Sequence, residues 1–455
     1  MGRSNTSPSS EARRVAYDVL RRVTADGAYA NLALAHALAA ADLSPRDAAF
    51  TTTLVAGTCR GLGVYDEIIA RASGRSLTTL QPAVIDLLRL GVHQALSLRV
   101  PPHAAVATTV DLAAATVGRR VMGLVNAILR RVTAKTYDEW LAELTAGAGP
   151  LAALALRTSH PVWIAQAYAD RLGDLAEAEA ALQANNEPPT PVLAIRPGLL
   201  TRDELLAEAG KHAQPGRWSP YAVRADGDPG RVPSVQAGRA GVEDEGSQLV
   251  ALALAAADAP DGPWLDLCAG PGGKTALLAG LAAGRGVRLV ATEANAQRAQ
   301  LVRENLRAYR RPPEVTVADG RRPPFEAGSF ARVLVDAPCT GLGALRRRPE
   351  ARWRKSPADL AQLVTLQREL LDSALRLVRP GGVVAYVTCS PHRAETADVV
   401  GAALDAHPGV TPLPAAPLLP GSPPGAADGP YAQLWGHRHG TDAMFLALLR
   451  APGAA

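Results

Sequence analysis

From Val242 onward, short apolar runs of strand character alternate with helical stretches, and successive runs end on an acid. Trp264-Leu265-Asp266-Leu267 reads as a short buried strand. Val287 to Glu293 and Val315 to Asp319 read as a second and third, each closing on a carboxylate. Phe330 to Val335 is a fourth, with Asp336 next, and Gly382 to Val387 is a fifth after a helix over about Ala358 to Val378. Ala443 to Leu449 predicts a terminal antiparallel strand. Strands alternating with helices predict a doubly wound, mainly parallel α/β sheet over 241–455. Ligands of such sheets bind at the carboxyl ends of the strands, where these acids fall.

The rest of the chain is different. Glu11 to about Lys135 carries apolar stripes at three- and four-residue spacing, as in Ala49 to Ile69, Pro82 to Leu98 and Ala104 to Ala115, so 1–140 is expected to be an all-α bundle. Residues 141–240 read as a helical connector, broken at Pro188-Pro189-Thr190-Pro191, followed by a small α+β module. A chain of 455 residues, 47% hydrophobic and 20% charged, is of globular composition and long enough for two to four domains. No apolar run approaches the ~20 residues of a membrane span. Met1 to Ser10 lacks the apolar core of a secretion signal, so cytoplasmic location without a membrane partner is the expectation. Of 48 basic residues only Lys135, Lys211, Lys274 and Lys355 are lysines. With abundant Ala, Gly and Pro, that skew is what GC-rich coding produces. A net charge of +5 is therefore a poor guide to partners.

The turn after the first strand, Asp266-Leu267-Cys268-Ala269-Gly270-Pro271-Gly272-Gly273-Lys274-Thr275, combines close backbone approach with a helix N-terminus. Gly273-Lys274-Thr275 matches the end of a P-loop, but Cys268 stands where that motif needs its first Gly. The dinucleotide G-x-G-x-x-G spacing fails as well. Glu293 can take both hydroxyls of a ribose, and Asp319 is placed to reach an adenine amino group. Either acid alone could merely cap a helix. Three in register after successive strands, without a phosphate-binding pattern, point to S-adenosylmethionine rather than NAD or ATP.

The four cysteines, Cys59, Cys268, Cys339 and Cys389, form no CxxC pair, so no zinc or thioredoxin-like site and no metal is expected. Cys59 is expected in the core. Cys339, in Asp336-Ala337-Pro338-Cys339-Thr340-Gly341, and Cys389, in Thr388-Cys389-Ser390, follow two strands on the cofactor edge. Methylation of cytosine at C5 wants such thiols. Addition of a thiolate at C6 makes C5 nucleophilic, a base then removes the C5 proton, and the thiol is expelled. A carboxyl group at N3 would stabilise the adduct, and Asp336 is suited to it. Arg346, Arg347, Arg348, Arg352, Arg354 and Lys355 surround Trp353 just beyond Cys339. The run reads as a phosphate-tracking RNA contact with an aromatic for stacking, or as a solvated basic loop.

DLCAGPGGKT, DAPCTGLGALRRRPEARW and VTCSPHRAE resemble the motifs of the RNA (cytosine-5) methyltransferases. The resemblance implies a Rossmann-like class I methyltransferase domain with Cys389 as nucleophile, Cys339 assisting release of the methylated base, and Asp336 as the catalytic acid. It implies cofactor contacts from Cys268, Ala269, Gly270, Pro271, Gly272, Gly273 and Lys274, and from Glu293, Arg298, Asp319 and Asp336. RRVAYDVLRRV, LVAGTCRG, LRLGVHQAL, VPPHAAVATTVDLA and VNAILRRV resemble the NusB-like RNA-binding domain. That pairing resembles the bacterial 16S rRNA cytosine-5 methyltransferases of the Sun/Fmu type. It implies 16S rRNA or a small-subunit assembly intermediate as partner; separately, a monomer is the expectation. Two departures stand out: Gly270 replaces the second Ala of the usual Ala-Ala-Pro-Gly-Gly-Lys, and Glu293 stands where Asp is commoner. Pro197 also departs from the usual continuation of Ile195-Arg196. The same chemistry on tRNA or another rRNA cytosine, or a non-catalytic RNA-binding assembly factor, remain the alternatives.

Overall fold

The computed structural model describes residues 8–453 and divides into two compact units. Most of the polar opening segment Met1–Ser10 lies outside the described residues. The first unit comprises residues up to Asn186 together with Leu345–Arg354; the second comprises Glu187–Ala344 and the chain from Lys355 onward. The segment predicted as a connector and module, 141–240, is thus shared between them. Its helices, from Tyr137–Thr145 to Leu175–Ala184, belong to the first unit and its strands to the second.

The first unit is all-helical. Its longest helix, Pro45–Ser73, starts where the Ser44 hydroxyl accepts from the Asp47 amide with Pro45 in the first turn. It stops at Gly74, whose φ of +65° the helix cannot continue. Ile68, Ile69, Leu87, Leu88 and Val125 meet in one core, and Cys59 is fully buried among them as expected. Pro82–Leu98, predicted as one helix, is α-helical to Val92 and closes in a π turn over His93–Ser97. His93 there is buried against the Tyr65 hydroxyl, 2.7 Å from its Nδ1.

The second unit opens with a small antiparallel sheet of β1 (Val192–Ile195), β2 (Gln214–Pro215), β3 (Ala222–Arg224) and β4 (Ala240–Val242), in the order β2-β3-β1-β4. The main sheet follows, with β5 (Trp264–Asp266), β6 (Leu289–Glu293), β7 (Glu314–Val317), β8 (Phe330–Asp336) and β9 (Val378–Thr388) all parallel. β10 (Thr411–Leu413), β11 (Ala427–Asp428), β12 (Tyr431–Gln433) and β13 (Phe445–Arg450) complete it as an antiparallel flank. The order is β11-β12-β13-β9-β8-β5-β6-β7, with β10 beside β13. Strand order reverses between β5 and β8, which opens a ligand crevice beyond their carboxyl ends. The third predicted strand is shorter than its apolar run. It ends at Val317, which leaves Asp319 two residues beyond it.

Both faces of the sheet are covered, which is why β5, β6 and β9 read as continuous apolar runs. Helices Glu245–Ala256 and Gly273–Gly284 lie on one face, and Pro357–Leu377 with Ala397–Ala406 on the other. The helix Pro357–Leu377 begins in a reciprocal cap between Ser356 and Asp359.

Candidate active site

The turn between β5 and its helix is shaped by two glycines. Gly272 has φ +109°, and a Cβ there would lie 2.9 Å from the Val302 backbone, so no side chain fits. Gly270 donates its N–H to Glu293 Oε2 at 3.1 Å, and a Cβ on Gly270 would sit 2.2 Å from that oxygen. The two departures noted in the sequence are therefore complementary: the longer Glu293 fills the space an alanine methyl would take. Arg298 donates to the Gly270 carbonyl and lies 3.6 Å from Glu293, tying the second strand's acid to the turn.

Asp266 is buried at the end of β5, where its Oδ2 accepts from the Thr275 hydroxyl at 2.7 Å. Burial pushes its carboxyl up to about 7, although the Thr275 hydroxyl pulls the other way. Its Oδ1 is buried with no partner among the described residues. A buried acceptor left unpaired at the mouth of the turn suits a bound donor. Together with the glycine cradle and the strand-end Glu293, the residues present fit S-adenosylmethionine. Asp319 is paired: Arg321 holds both its oxygens, at 2.7 and 3.0 Å, and that pairing keeps its carboxyl below the usual range. Adenine would have to compete with Arg321 for it. Cys268 is pushed well above the ordinary thiol range by burial and by the carboxylates of Asp266, Asp336 and Glu293. It lines the turn as a neutral thiol.

Lys274 crosses the crevice from the helix to Asp336 at the end of β8, with Nζ 2.7 Å from Oδ2. Burial opposes its charge, but the carboxylates of Asp336 and Glu243 more than offset this and hold the ammonium above its usual value. Beyond Asp336, Cys339 and Cys389 come together with their sulfurs 3.4 Å apart. The Gly343 N–H donates to the Cys389 carbonyl at 2.9 Å, tying the two loops. Contact with the Cys389 sulfur, then burial, raises the Cys339 thiol well above its ordinary value.

The residues behind these groups had no role assigned from sequence. Arg196, at the end of β1, is fully buried with its guanidinium 3.4 Å from the Gly273 carbonyl, 3.3 Å from Asn305 and 3.7 Å from Glu243. Asn305 in turn donates to the Pro271 carbonyl at 2.9 Å. Glu395 and Gln367, both fully buried, support the Cys339 loop. Glu395 lay inside a quoted motif, and its place beside Cys389 in sequence was the available signal.

The basic run is corrected in part. Arg352 is fully buried in the helical unit, where its guanidinium donates to the carbonyls of Ser159 and Asn185 and to Asn186 Oδ1. Trp353 donates its indole N–H to the Cys59 carbonyl at 2.9 Å, and its ring lies where a Cβ on Gly63 would be. Arg354 donates to the carbonyls of Val23, Gly27 and Ala28. These three seat the segment Leu345–Arg354 and are not placed to track phosphates. Arg348 is exposed and lies over the Tyr29 ring at 5.3 Å; Arg346, Arg347 and Lys355 are half-buried.

Residues 251–450 match the family described as 16S rRNA methyltransferase RsmB/F, and residues 10–134 match the NusB family. A Mycobacterium tuberculosis protein is 51% identical over 97% of this chain and 97% of its own. The ribosomal RNA small subunit methyltransferase B of Cronobacter sakazakii is 33% identical over 84% of this chain and 89% of its own. One crystal structure of a protein 23% identical superposes with a TM-score of 0.80, covering 98% of this chain and 100% of that one, a likeness of fold. With the glycine turn, the strand-end acids and a NusB-family helical region all present in one chain, it belongs to the RsmB/F family of S-adenosylmethionine-dependent 16S rRNA methyltransferases.

Proposed function

We propose that the protein methylates C5 of a cytosine in 16S rRNA through a covalent bond between Cys389 and C6 of the base. The observation that carries the reading is the pair of thiols 3.4 Å apart beside the Lys274–Asp336 ion pair. One thiol alone would serve addition. Two suit addition followed by release.

The steps follow from the residues. Cys389 passes its thiol proton to the Asp336 carboxylate as its sulfur bonds to C6. Asp336 passes that proton to N3, and Lys274 keeps its charge throughout. The C5=C6 electrons are thereby made available at C5. S-adenosylmethionine supplies the electrophilic methyl group. Cys339, having lost its own proton to solvent, takes the proton from C5. The C5=C6 bond re-forms, N3 gives its proton back to Asp336, and Cys389 leaves as a thiolate. The largest cause of the raised Cys339 value is its contact with the Cys389 sulfur. That contact is lost once Cys389 is bonded to C6, so Cys339 ionises more readily at the stage where a base is needed.

The rRNA substrate rests on the family and on relatives named as ribosomal RNA small subunit methyltransferases. The test is methyl transfer to undermethylated 30S RNA. Cys389→Ala is expected to abolish transfer. Cys339→Ala should instead trap an RNA–protein adduct that survives denaturing gels. A trapped adduct in Cys389→Ala and none in Cys339→Ala would reverse the two roles. An unchanged 5-methylcytosine pattern on bisulfite sequencing of 16S rRNA from a strain lacking the gene would refute the assignment.

A further inference from the structure

Glu395 sits in the short turn Arg393–Glu395 after β9, fully buried and six residues beyond Cys389. Its carboxylate faces the other cysteine. Oε1 accepts from the Thr340 backbone N–H at 2.7 Å and from Gln367 Nε2 at 3.0 Å, and Oε2 accepts from the Thr340 hydroxyl. Gln367, on the helix Pro357–Leu377, also donates to the Pro338 carbonyl at 2.8 Å. The residues on both sides of Cys339 are therefore held by one buried pair, Thr340 by Glu395 and Pro338 by Gln367. The Thr340 hydroxyl lies 3.3 Å from the Ser390 hydroxyl, beside Cys389, and the Tyr386 hydroxyl donates to the Glu395 carbonyl at 2.9 Å. None of these contacts uses the crevice itself.

We infer that Glu395 is a positioning residue: through Thr340, Gln367 and Ser390 it fixes the Cys339 loop against the Cys389 loop and so sets the separation of the two sulfurs. The inference rests on the proposed two-thiol reaction for its consequence, and on geometry alone for its existence. A carboxylate is well fitted to the task, because its two oxygens accept from a backbone amide, an amide side chain and a hydroxyl at once. Charge works against any other reading. A buried anion beside Cys339 opposes formation of its thiolate, and Glu395 is among the groups raising Cys339. A residue kept for its charge would not be an acid here.

The test uses the full chain and measures how fast diamide closes a Cys339–Cys389 disulfide without RNA, mapped by peptide mass spectrometry. In that reaction both S–H bonds break, an S–S bond forms, and the diazene takes up the two hydrogens as a hydrazine. Glu395→Gln can keep the geometry, since its Oε1 still accepts from Thr340 and Gln367 and the Thr340 hydroxyl can rotate to accept from its amide. Closure is expected to be about tenfold slower in Glu395→Ala and near the wild-type rate in Glu395→Gln. On the catalytic side, Glu395→Ala should lower kcat on the order of a hundredfold and leave KM for the cofactor unchanged. Its RNA adduct should also persist longer than that of the wild type. A purely electrostatic role predicts faster closure in both variants, and that result overturns the inference, as does a wild-type rate in Glu395→Ala. If Glu395→Ala does not fold, Thr340→Val, which removes the hydroxyl link alone, must show the slower closure. Should the wild type fail to methylate RNA, the reaction proposed above falls, and the closure rates still decide the role of Glu395.

Discussion

At the Gly270–Glu293 contact the spacing of single atoms bears on the proposed cofactor site. An alanine at 270 has to displace the Glu293 carboxylate, whose oxygen stands 2.2 Å from the added Cβ. Gly270→Ala should weaken S-adenosylmethionine binding by about tenfold in calorimetric titration. Glu293→Asp in the same chain should recover most of that loss, since the shorter acid vacates the space. Failure of the double variant to bind better than Gly270→Ala would mean the two residues are not complementary. The thiols make a second residue-scale prediction. Even an ordinary thiol, which Cys339 approaches once Cys389 is bonded to C6, is mostly protonated at neutral pH. Release of the methylated base needs its thiolate, so single-turnover release should speed up with rising pH, by about tenfold per unit until Cys339 is ionised. A pH-independent release rate would remove Cys339 from that step.

At the level of elements, strands were legible because β5, β6, β8 and β9 are covered on both faces and so carry near-continuous apolar runs. The ends of β5, β6 and β8 were legible through the acids that close them. β10 to β12 were missed because two- and three-residue flanking strands carry no periodicity. The helical stripes were legible too, apart from the π turn at His93. The shape of the glycine turn and the placing of Cys339 and Cys389 on one sheet edge were recoverable from local sequence. Arg352 was not, since a guanidinium buried on carbonyls from residues 159 and 185 has the same local sequence as one reaching for phosphate. Arg352→Met should leave three acceptors unpaired and destabilise the helical unit by about 3 kcal/mol, read as a lower Tm. It should leave the salt dependence of RNA binding unchanged. A reduced salt slope with normal stability would restore the phosphate role. The same unit buries His93 and His160. Burial holds His93 down at about 4, and His160 falls well below its ordinary value. A histidine depressed in the folded state contributes its full stability above the unfolded value near 6.5. That stability fades as pH falls towards the folded value. His93 alone therefore predicts a loss of about 3 kcal/mol between pH 6.5 and 4. Replacing His93 by Gln should flatten that limb of the Tm–pH curve.

For the whole molecule, the chain passes between the two units three times, at 186, 344 and 354. The ten residues Leu345–Arg354 complete the helical unit from far along the sequence: Glu350 accepts from the Ala30 amide, Trp353 covers Gly63, and Arg354 donates to three carbonyls near the end of the first helix. A fragment ending at Asn186 should therefore have a lowered Tm, and a synthetic 345–354 peptide should raise it saturably. The same peptide carrying Arg352→Ala should not.

That returning segment also sets a timetable. When Asn186 leaves the ribosome, the helical unit still lacks a piece 159 to 168 residues away in the nascent chain. At ordinary elongation rates the wait is roughly 10–30 s. Through that interval the groove around Gly63 and the carbonyls of Val23 and Gly27 are open to water or to other chains. Completion of the helical unit is thus timed by synthesis of the loop that follows Cys339, and it precedes that of the second unit, which still awaits the strand Phe445–Arg450.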